Sequence, residues 1–425
     1  MNDSGIKWIK KAGGASTAAS QDVRNTVACI IDNVRGMGME AVTRLSQKFD
    51  GFGGPFRTPR EEAARALGAI SPEVRGALET AIRNVTMFHE LQRGTLIDRE
   101  WEISPGVRAG YRYMPVESAA VYIPGGRYPL PSSAIMSVVP AKAAGVRRIA
   151  AFSPPGKNGR VHESVLAVLS LLGVDEIWAI GGAHAIAAMA LGAGEIARVD
   201  FVAGPGNAYV AEAKRALYGT IGIDGVAGPS EVLIIADGGA DFRLTAKDLL
   251  AQSEHDPMAS GVLVTTSEEL AQNVRDEIEN LLPGLPTRDV ASISWNENGA
   301  IGLADSLDSA IEYANAMAPE HLQLAVSDPR ETLAKCRAYG AAFLGYSSCE
   351  VFGDYIAGTN HTLPTDGRAR FSSGLWTGSF MRTLTHLDMT PESAAALSLP
   401  GTVIARTEGL EAHARSLLAR GDIKD

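Results

Sequence analysis

The sequence is short of cysteine. Its three, Cys29, Cys336 and Cys349, are scattered, odd in number and never in CxxC spacing, which excludes a disulfide framework and a thiolate zinc cage. Any metal must therefore be held by nitrogen and oxygen. Uninterrupted apolar runs of the roughly eighteen residues that a membrane helix needs are missing. The opening stretch MNDSGIKWIKKAGG lacks an apolar segment fit for a signal peptide, so a cytoplasmic protein is expected. Long runs of one charge sign are absent too. The formal net charge of −10 is spread thinly and argues against a nucleic-acid surface, which would need clustered Lys and Arg. No internal repeat and no low-complexity linker divides the chain. What remains is an ordinary globular composition, 45% hydrophobic and 21% charged over 425 residues, enough for more than one domain.

Apolar spacing gives the organisation. SQDVRNTVACIIDNVRGMGMEAVTRLSQKFD and EEAARALGAISPEVRGALETAIRNVTMFHELQR carry apolar residues at intervals of three and four, so residues 1–117 read mostly as amphipathic helices contributing to a first α/β domain. From residue 118 the rhythm changes to short apolar strands, Gly-containing turns and helices. SAAVYIPGG, VRRIAAFSPPG, VDEIWAIGG and VDFVAGPGN form one series, placed in a domain of residues 118–230. EVLIIAD, GVLVTTS, GAIGLAD, HLQLAV and AAFLG form a second, in residues 231–375. The expected fold class is α/β: two Rossmann-like, mainly parallel open sheets with flanking helices. Residues 376–425 read as a small helical C-terminal element.

Several polar residues stand where chemistry could be done. In DLLAQSEHD, Gln252 and His255 lie three apart on a predicted helix, a spacing at which two side chains can share one ion. A helix cap or surface histidine is the bland alternative. VFGDYIAGTNHTLPT supplies Asp354 and His361 in a turn-rich segment beyond a strand, where open α/β sheets carry their sites. In TEGLEAHAR, Glu408 and His413 are five apart on a predicted helix, so they would meet one pocket only at its rim. MAPEHLQLAV puts Glu320 beside His321 before a strand, a candidate proton-transfer couple or a plain turn cap. VAGPGNAYVAEAKR and YIPGGRYPLPSS place glycines between a strand and a helix start, where backbone N–H groups can meet a phosphate, although neither fits GxGxxG. Ser230, in IDGVAGPSE, is either a cap or a ligand contact.

Together, IGIDGVAGPSEVLIIADGGADFRLTAKDLLAQSEH, YIPGG, GPGNAYVAEAKR, PEHLQLAV, GDYIAGTNHTLPT and EGLEAHA resemble the histidinol dehydrogenase family over roughly residues 22–415. The resemblance implies a zinc site made by Gln252, His255, Asp354 and His413. It implies His321 as general base and Glu320 as the group that activates water. Substrate contacts would fall on Ser230, His361 and Glu408, and NAD contacts on Tyr122 and Asn207. It further implies a homodimer whose sites take Glu408 and His413 from the neighbouring subunit, with the C-terminal element packed on that partner. The activity implied is oxidation of a small polar primary alcohol to the carboxylate in two hydride transfers, each using one NAD.

Three positions depart from the family pattern. GGAHAIAA has His184 where Gln is usual near the cofactor, Arg127-Tyr128 follow YIPGG where small residues are usual, and RFSSGLWTGSFMRTLTH introduces Trp376 and loses an acidic residue. GGRYP, NHTLPT and GLWxGxF are more similar to a side branch that includes sulfopropanediol 3-dehydrogenases. On that reading the substrate is 2,3-dihydroxypropane-1-sulfonate, with Arg127 or Arg382 binding the sulfonate, and L-histidinol is the alternative. A non-catalytic zinc-containing member and a zinc hydrolase are the competing classes, and formation of reduced cofactor separates them.

Overall fold

All nine apolar segments of the two series are strands in the computed structural model, which describes residues 5–13, 20–125, 128–174 and 176–421. Arg127 lies outside the described residues. Each series becomes the body of a six-stranded sheet. The first sheet runs Arg57–Thr58, Glu176–Ala179, Arg148–Ser153, Ser118–Tyr122, Phe201–Ala203, Gly222–Ile223, parallel except for the short Arg57–Thr58 edge. The second runs Ile6–Lys10, Ala300–Ala304, Ser260–Thr265, Glu231–Ala236, His321–Ala325, Ala341–Leu344, with only Ile6–Lys10 antiparallel. Central strands such as Ala119–Tyr122 and Val232–Ala236 are buried on both faces, because helices cover both sides of each sheet. This is why they read as continuous apolar runs rather than as alternating ones.

Chain order reverses once in each sheet, and these reversals are where open parallel sheets make room for ligands. In the first sheet the reversal lies between Ser118–Tyr122 and Phe201–Ala203. Gly204 follows directly at φ +116°, and a Cβ there would stand 2.1 Å from the Tyr122 carbonyl oxygen, so only glycine lets the chain cross. A buried ion pair holds this turn. The Lys214 ammonium contacts Asp224 and donates to the Gly204 carbonyl at 3.0 Å, while the Gly204 N–H donates to Asp224 Oδ2 at 2.7 Å. In the second sheet the reversal lies between Glu231–Ala236 and His321–Ala325.

The chain divides into a larger unit, residues up to Leu91 plus Val116–Phe380, and a smaller one, Gln92–Pro115 plus residues from Met381 onward. The larger unit holds both six-stranded sheets. In the smaller unit, Arg99–Ser104 and Val107–Pro115 form a hairpin to which Met381–Met389 adds a third antiparallel strand. Helices Pro391–Thr407 and Glu411–Leu418 follow. The strands at 99–115 and 381–389 fall in stretches whose sequence reads as helical. Among the described residues no helix is long and apolar enough to cross a membrane.

The buried ion pair makes a stability prediction. The single change Lys214→Met strands the Asp224 carboxylate and should cost about 3–5 kcal/mol, whereas adding Asp224→Leu removes the stranded charge and should recover most of the loss. Chemical denaturation of the single and double variants reads the difference.

Candidate active site

The Glu320-His321 couple is placed by a strained turn. Helix Leu307–Met317 ends at Ala318, which takes φ +52°, a left-handed conformation costing an alanine roughly 1 kcal/mol. Pro319 then leads the chain into strand His321–Ala325, whose pairing sets Val232 opposite His321. Ser230-Glu231 and Glu320-His321 therefore lie side by side at the amino ends of neighbouring strands. This differs from the carboxyl-end placement expected for the site in an open sheet.

Four contacts tie the two dipeptides together. Ser230 Oγ donates to Glu320 Oε2 at 2.6 Å, the Glu231 N–H donates to the same oxygen at 2.9 Å, and the Glu320 N–H donates to Glu231 Oε1 at 3.3 Å. His321 Nδ1 lies 3.2 Å from the Glu231 carbonyl oxygen. A carbonyl can only accept, so Nδ1 carries a proton, and the carboxyls about the ring favour a second one on Nε2. Nε2 is buried without a hydrogen-bond partner, 3.6 Å from Asp354 Oδ1.

Around the couple lie groups able to hold a cation. Gln252, in the last turn of helix Phe242–Ser253, is fully buried, and neither amide atom has a partner. Leaving such a group unmet costs about 1–3 kcal/mol, so a ligand there is the simplest explanation. His255 is not on the helix: the helix caps at Glu254, and His255 turns past its end to bring Nε2 to 3.7 Å from Asp354 Oδ2. Asp354, expected in a turn, lies on the short helix Glu350–Tyr355. Nitrogen, amide oxygen and one carboxylate suit a borderline divalent ion such as zinc. Among the described residues, no group of three His, Cys, Asp or Glu side chains is placed to hold a metal ion. Glu408 caps helix Pro391–Thr407 and His413 lies on Glu411–Leu418, with Gly409 at φ +79° between, so they do not share one helix. Both are exposed, and both belong to the smaller unit.

His361 lies beside Asp354. Its Nδ1 donates to the Asp354 carbonyl at 3.0 Å and its Nε2 lies 3.5 Å from Ser133 Oγ. Asn360, next to it, is pinned by the Met136 carbonyl at 2.7 Å and by buried His89 at 3.3 Å. Sequence reading singled out neither Glu231 nor Glu350. Glu231 was legible only as the polar first residue of EVLIIAD, and Glu350, fully buried with both carboxyl oxygens unpartnered 3.9 Å from His321 Nδ1, carried no sequence signal.

Burial sets the proton affinities here, and neighbouring charge then corrects them. Burial alone would lower His321, but Glu320, Asp354 and Glu350 outweigh it and carry the imidazole up to about 10. Burial raises Glu320, partly offset by His321 and by the Ser230 hydroxyl. Burial pushes up the carboxyl of Asp354, yet His321, His361 and His255 hold it below the usual carboxylate range. The fixed charges facing the couple are thus carboxylates and imidazoles.

The other candidate residues cluster in the first sheet. Tyr122, at a carboxyl end, is buried, accepts the Gly182 N–H on its hydroxyl at 3.0 Å, and is pushed by burial up to about 12. Asn207 caps helix Ala208–Leu217, its Oδ1 accepting from Tyr209 N and Val210 N at 3.1 Å each. His184 is turned inward, 1% exposed, with Nε2 2.9 Å from Ser46 Oγ and 3.8 Å from Asp50 Oδ2. A cleft of about 610 Å³ opens beyond the carboxyl ends of Ser118–Tyr122 and Arg148–Ser153, lined by Pro124, Gly125, Pro154, Lys157 and Arg160 among others. A wider, shallow groove of about 890 Å³ along Met39–Lys48 contains none of the candidate residues.

The sealed His184 makes the protein acid-sensitive. Burial lowers its pKa from 6.5 to about 4. Between those values the unfolded chain binds a proton that the folded chain does not, so stability falls as pH drops from about 6.5 towards 4, by about 3 kcal/mol in total. Above pH 6.5 the effect vanishes. His184→Gln should flatten this limb, as read by denaturation at pH 7, 5.5 and 4.5.

The family model for histidinol dehydrogenase matches residues 14–421. Histidinol dehydrogenases of Zymomonas mobilis and Rhodospirillum rubrum are 43% and 44% identical over 402 and 406 residues, covering 94% and 95% of this chain and 93% of each relative. A histidinol dehydrogenase homolog of Shouchella clausii is 42% identical over 392 residues, 92% of both chains. The crystal structure of histidinol dehydrogenase from Elizabethkingia anophelis superposes with a TM-score of 0.90 at 34% identity, covering 95% of this chain and 93% of that one. With a matching family model, a matching fold and the acid–imidazole couple seated where two sheet strands part, the chain belongs to the histidinol dehydrogenase family, NAD-dependent oxidoreductases that act on CH–OH groups and bind zinc.

Proposed function

We propose that the protein oxidises L-histidinol to L-histidine, using two NAD and one water: the alcohol becomes an aldehyde, then a carboxylate, with release of two NADH and three protons. The observation that carries the chemistry is the buried Nε2 of His321, 3.6 Å from Asp354 Oδ1 and without a hydrogen-bond partner, whose other nitrogen is committed to the Glu231 carbonyl. In the first step His321 Nε2 takes the hydroxyl proton as hydride leaves carbon. In the second, Glu320 acts on water. Its Oε2 is held by the Ser230 hydroxyl and the Glu231 N–H, which leaves Oε1 for the incoming molecule. General acid–base help of this kind is worth about 10²–10⁴-fold.

Gln252, His255 and Asp354, with His413, would hold zinc. When bound, the ion supplies positive charge that steadies the substrate's hydroxyl and amine and, by occupying Asp354, reduces the proton affinity of His321 so that it serves as a base near neutrality. The cleft beyond the first sheet's carboxyl ends suits the dinucleotide. Tyr122 ends one of the strands at that sheet's reversal and Asn207 follows the other, both outside the residues that line the cleft. His184 would act there through its neighbours, since its own tip faces Ser46. A cytoplasmic location fits this soluble-cofactor chemistry.

Charge favours L-histidinol of the two substrates raised by the sequence. Asp354, held below the usual carboxylate range, stands as an ionised carboxylate 3.6 Å from His321 Nε2, a setting that suits a cationic amino alcohol better than a sulfonate. Arg382, one of the two arginines considered for a sulfonate, donates to the Pro115 carbonyl at 3.1 Å within the smaller unit. The relatives named histidinol dehydrogenase support the same choice.

The site is shared between two copies of the chain. The smaller unit, which holds Glu408 and His413, exposes Trp101, Ile103, Leu387, Leu399, Val403 and Ile404, an apolar surface of the sort that a second subunit covers. Two measurements test these readings. Purified protein with excess NAD and limiting L-histidinol should form two NADH per substrate, and dihydroxypropanesulfonate should form none; the reverse preference would overturn the substrate. Mixing and reassociating the inactive variants Gln252→Ala and His413→Ala should restore about a quarter of wild-type activity, because half of the mixed dimers' sites are intact. No recovery would mean that each chain builds its own site.

A further inference from the structure

We infer that Glu231 is a positioning residue that sets the water-activating carboxylate of Glu320, and thereby governs the second oxidation step more than the first. The inference rests on the functional reading above for its two steps, and on geometry for everything else. Glu231 touches the couple three ways. Its N–H donates to Glu320 Oε2 at 2.9 Å, its carbonyl receives His321 Nδ1 at 3.2 Å, and its own carboxylate Oε1 accepts the N–H of Glu320 at 3.3 Å and of Asp366 at 3.0 Å. The first two contacts are backbone and survive any substitution. Only the third depends on the side chain.

That third contact acts on Glu320 and not on His321. Glu320 leaves helix Leu307–Met317 through the strained Ala318 and through Pro319, which has no N–H to anchor the turn. The Glu231 carboxylate is the group that receives the first N–H after this turn, and it ties the same point to Asp366, itself at φ +57°. Losing it frees the Glu320 main chain on one side, and the Glu320 carboxylate then loses its fixed approach to Ser230 Oγ. His321 keeps both its strand pairing to Val232 and its bond to the Glu231 carbonyl. Burial and the neighbouring charge of Glu320 together carry the Glu231 carboxyl up to about 7, so a neutral acceptor can take its place.

The test separates the two oxidations. In wild-type and Glu231→Ala protein loaded with zinc, NADH formation is followed in single turnovers from the amino alcohol and, separately, from the amino aldehyde. Glu231→Ala should slow aldehyde oxidation on the order of 10²-fold, with alcohol oxidation slowed less than about 10-fold and KM for the aldehyde little changed. Glu231→Gln, whose amide oxygen accepts the same two N–H groups, should recover most of the aldehyde loss. Glu231→Asp keeps the charge but draws the oxygen back by one methylene and should behave like Glu231→Ala; it stands in if the alanine variant does not fold. Equal loss in both steps, no loss in either, or a glutamine variant no better than alanine would overturn the assignment. A substrate-free crystal structure of Glu231→Ala or Glu231→Asp gives an independent reading: the Ser230 to Glu320 contact should open while the strand pairing stays, and an unchanged contact overturns the assignment. A wild-type chain inert towards histidinol would overturn the functional reading instead, with Glu231 still decided by that contact.

Discussion

The parallel pairing of two strands, Glu231–Ala236 and His321–Ala325, is the constraint on which the chemistry depends. Its register puts two dipeptides side by side, and a slip of one residue would turn His321 to the opposite face of the sheet. Both strands are buried on both faces, and Val232, Leu233, Ile234, Leu322 and Leu324 pack the register into the core. A base and an acid are thereby held by a hydrophobic core, with the backbone itself selecting the imidazole tautomer.

The larger unit contains two sheets with opposite uses of their ends. The first presents glycine turns and a cleft at its carboxyl ends, the usual place for a ligand in open parallel sheets. The second places its acid–imidazole couple at the amino ends, where the final turn of helix Phe242–Ser253 delivers Gln252. Polar groups that would destabilise a core are tolerated there, including the unpartnered amide of Gln252 and the carboxyl of Glu350. Such unmet groups mark where stability is given up for function.

Legibility followed burial. The nine strands of the two sheets were readable because both of their faces are apolar, and the helices over 21–50 and 60–95 because one face is. Met381–Met389 and Arg99–Ser104 escaped notice because nearly every side chain in them is exposed in a single chain and their few apolar residues stand among polar ones. Gln252 and His255 were rightly associated, although a helix was credited with a geometry that the turn after Glu254 provides, and Gly409 divides what looked like one helix carrying Glu408 and His413. The role of Glu231 was hidden because a glutamate opening an apolar strand is commonplace, and only pairing across 89 residues reveals its partners. The site's charge, which bears on the substrate, is likewise a property of residues distant in sequence.

Asn207 carries a consequence of its own. Its amide oxygen is occupied by two N–H groups of the helix it begins, so the part left over is an NH₂ that can only donate. Whatever approaches that tip is sorted by polarity: a carbonyl oxygen finds a partner there and an amino group does not. A helix cap thus leaves a donor-only tip just past the reversal of the first sheet.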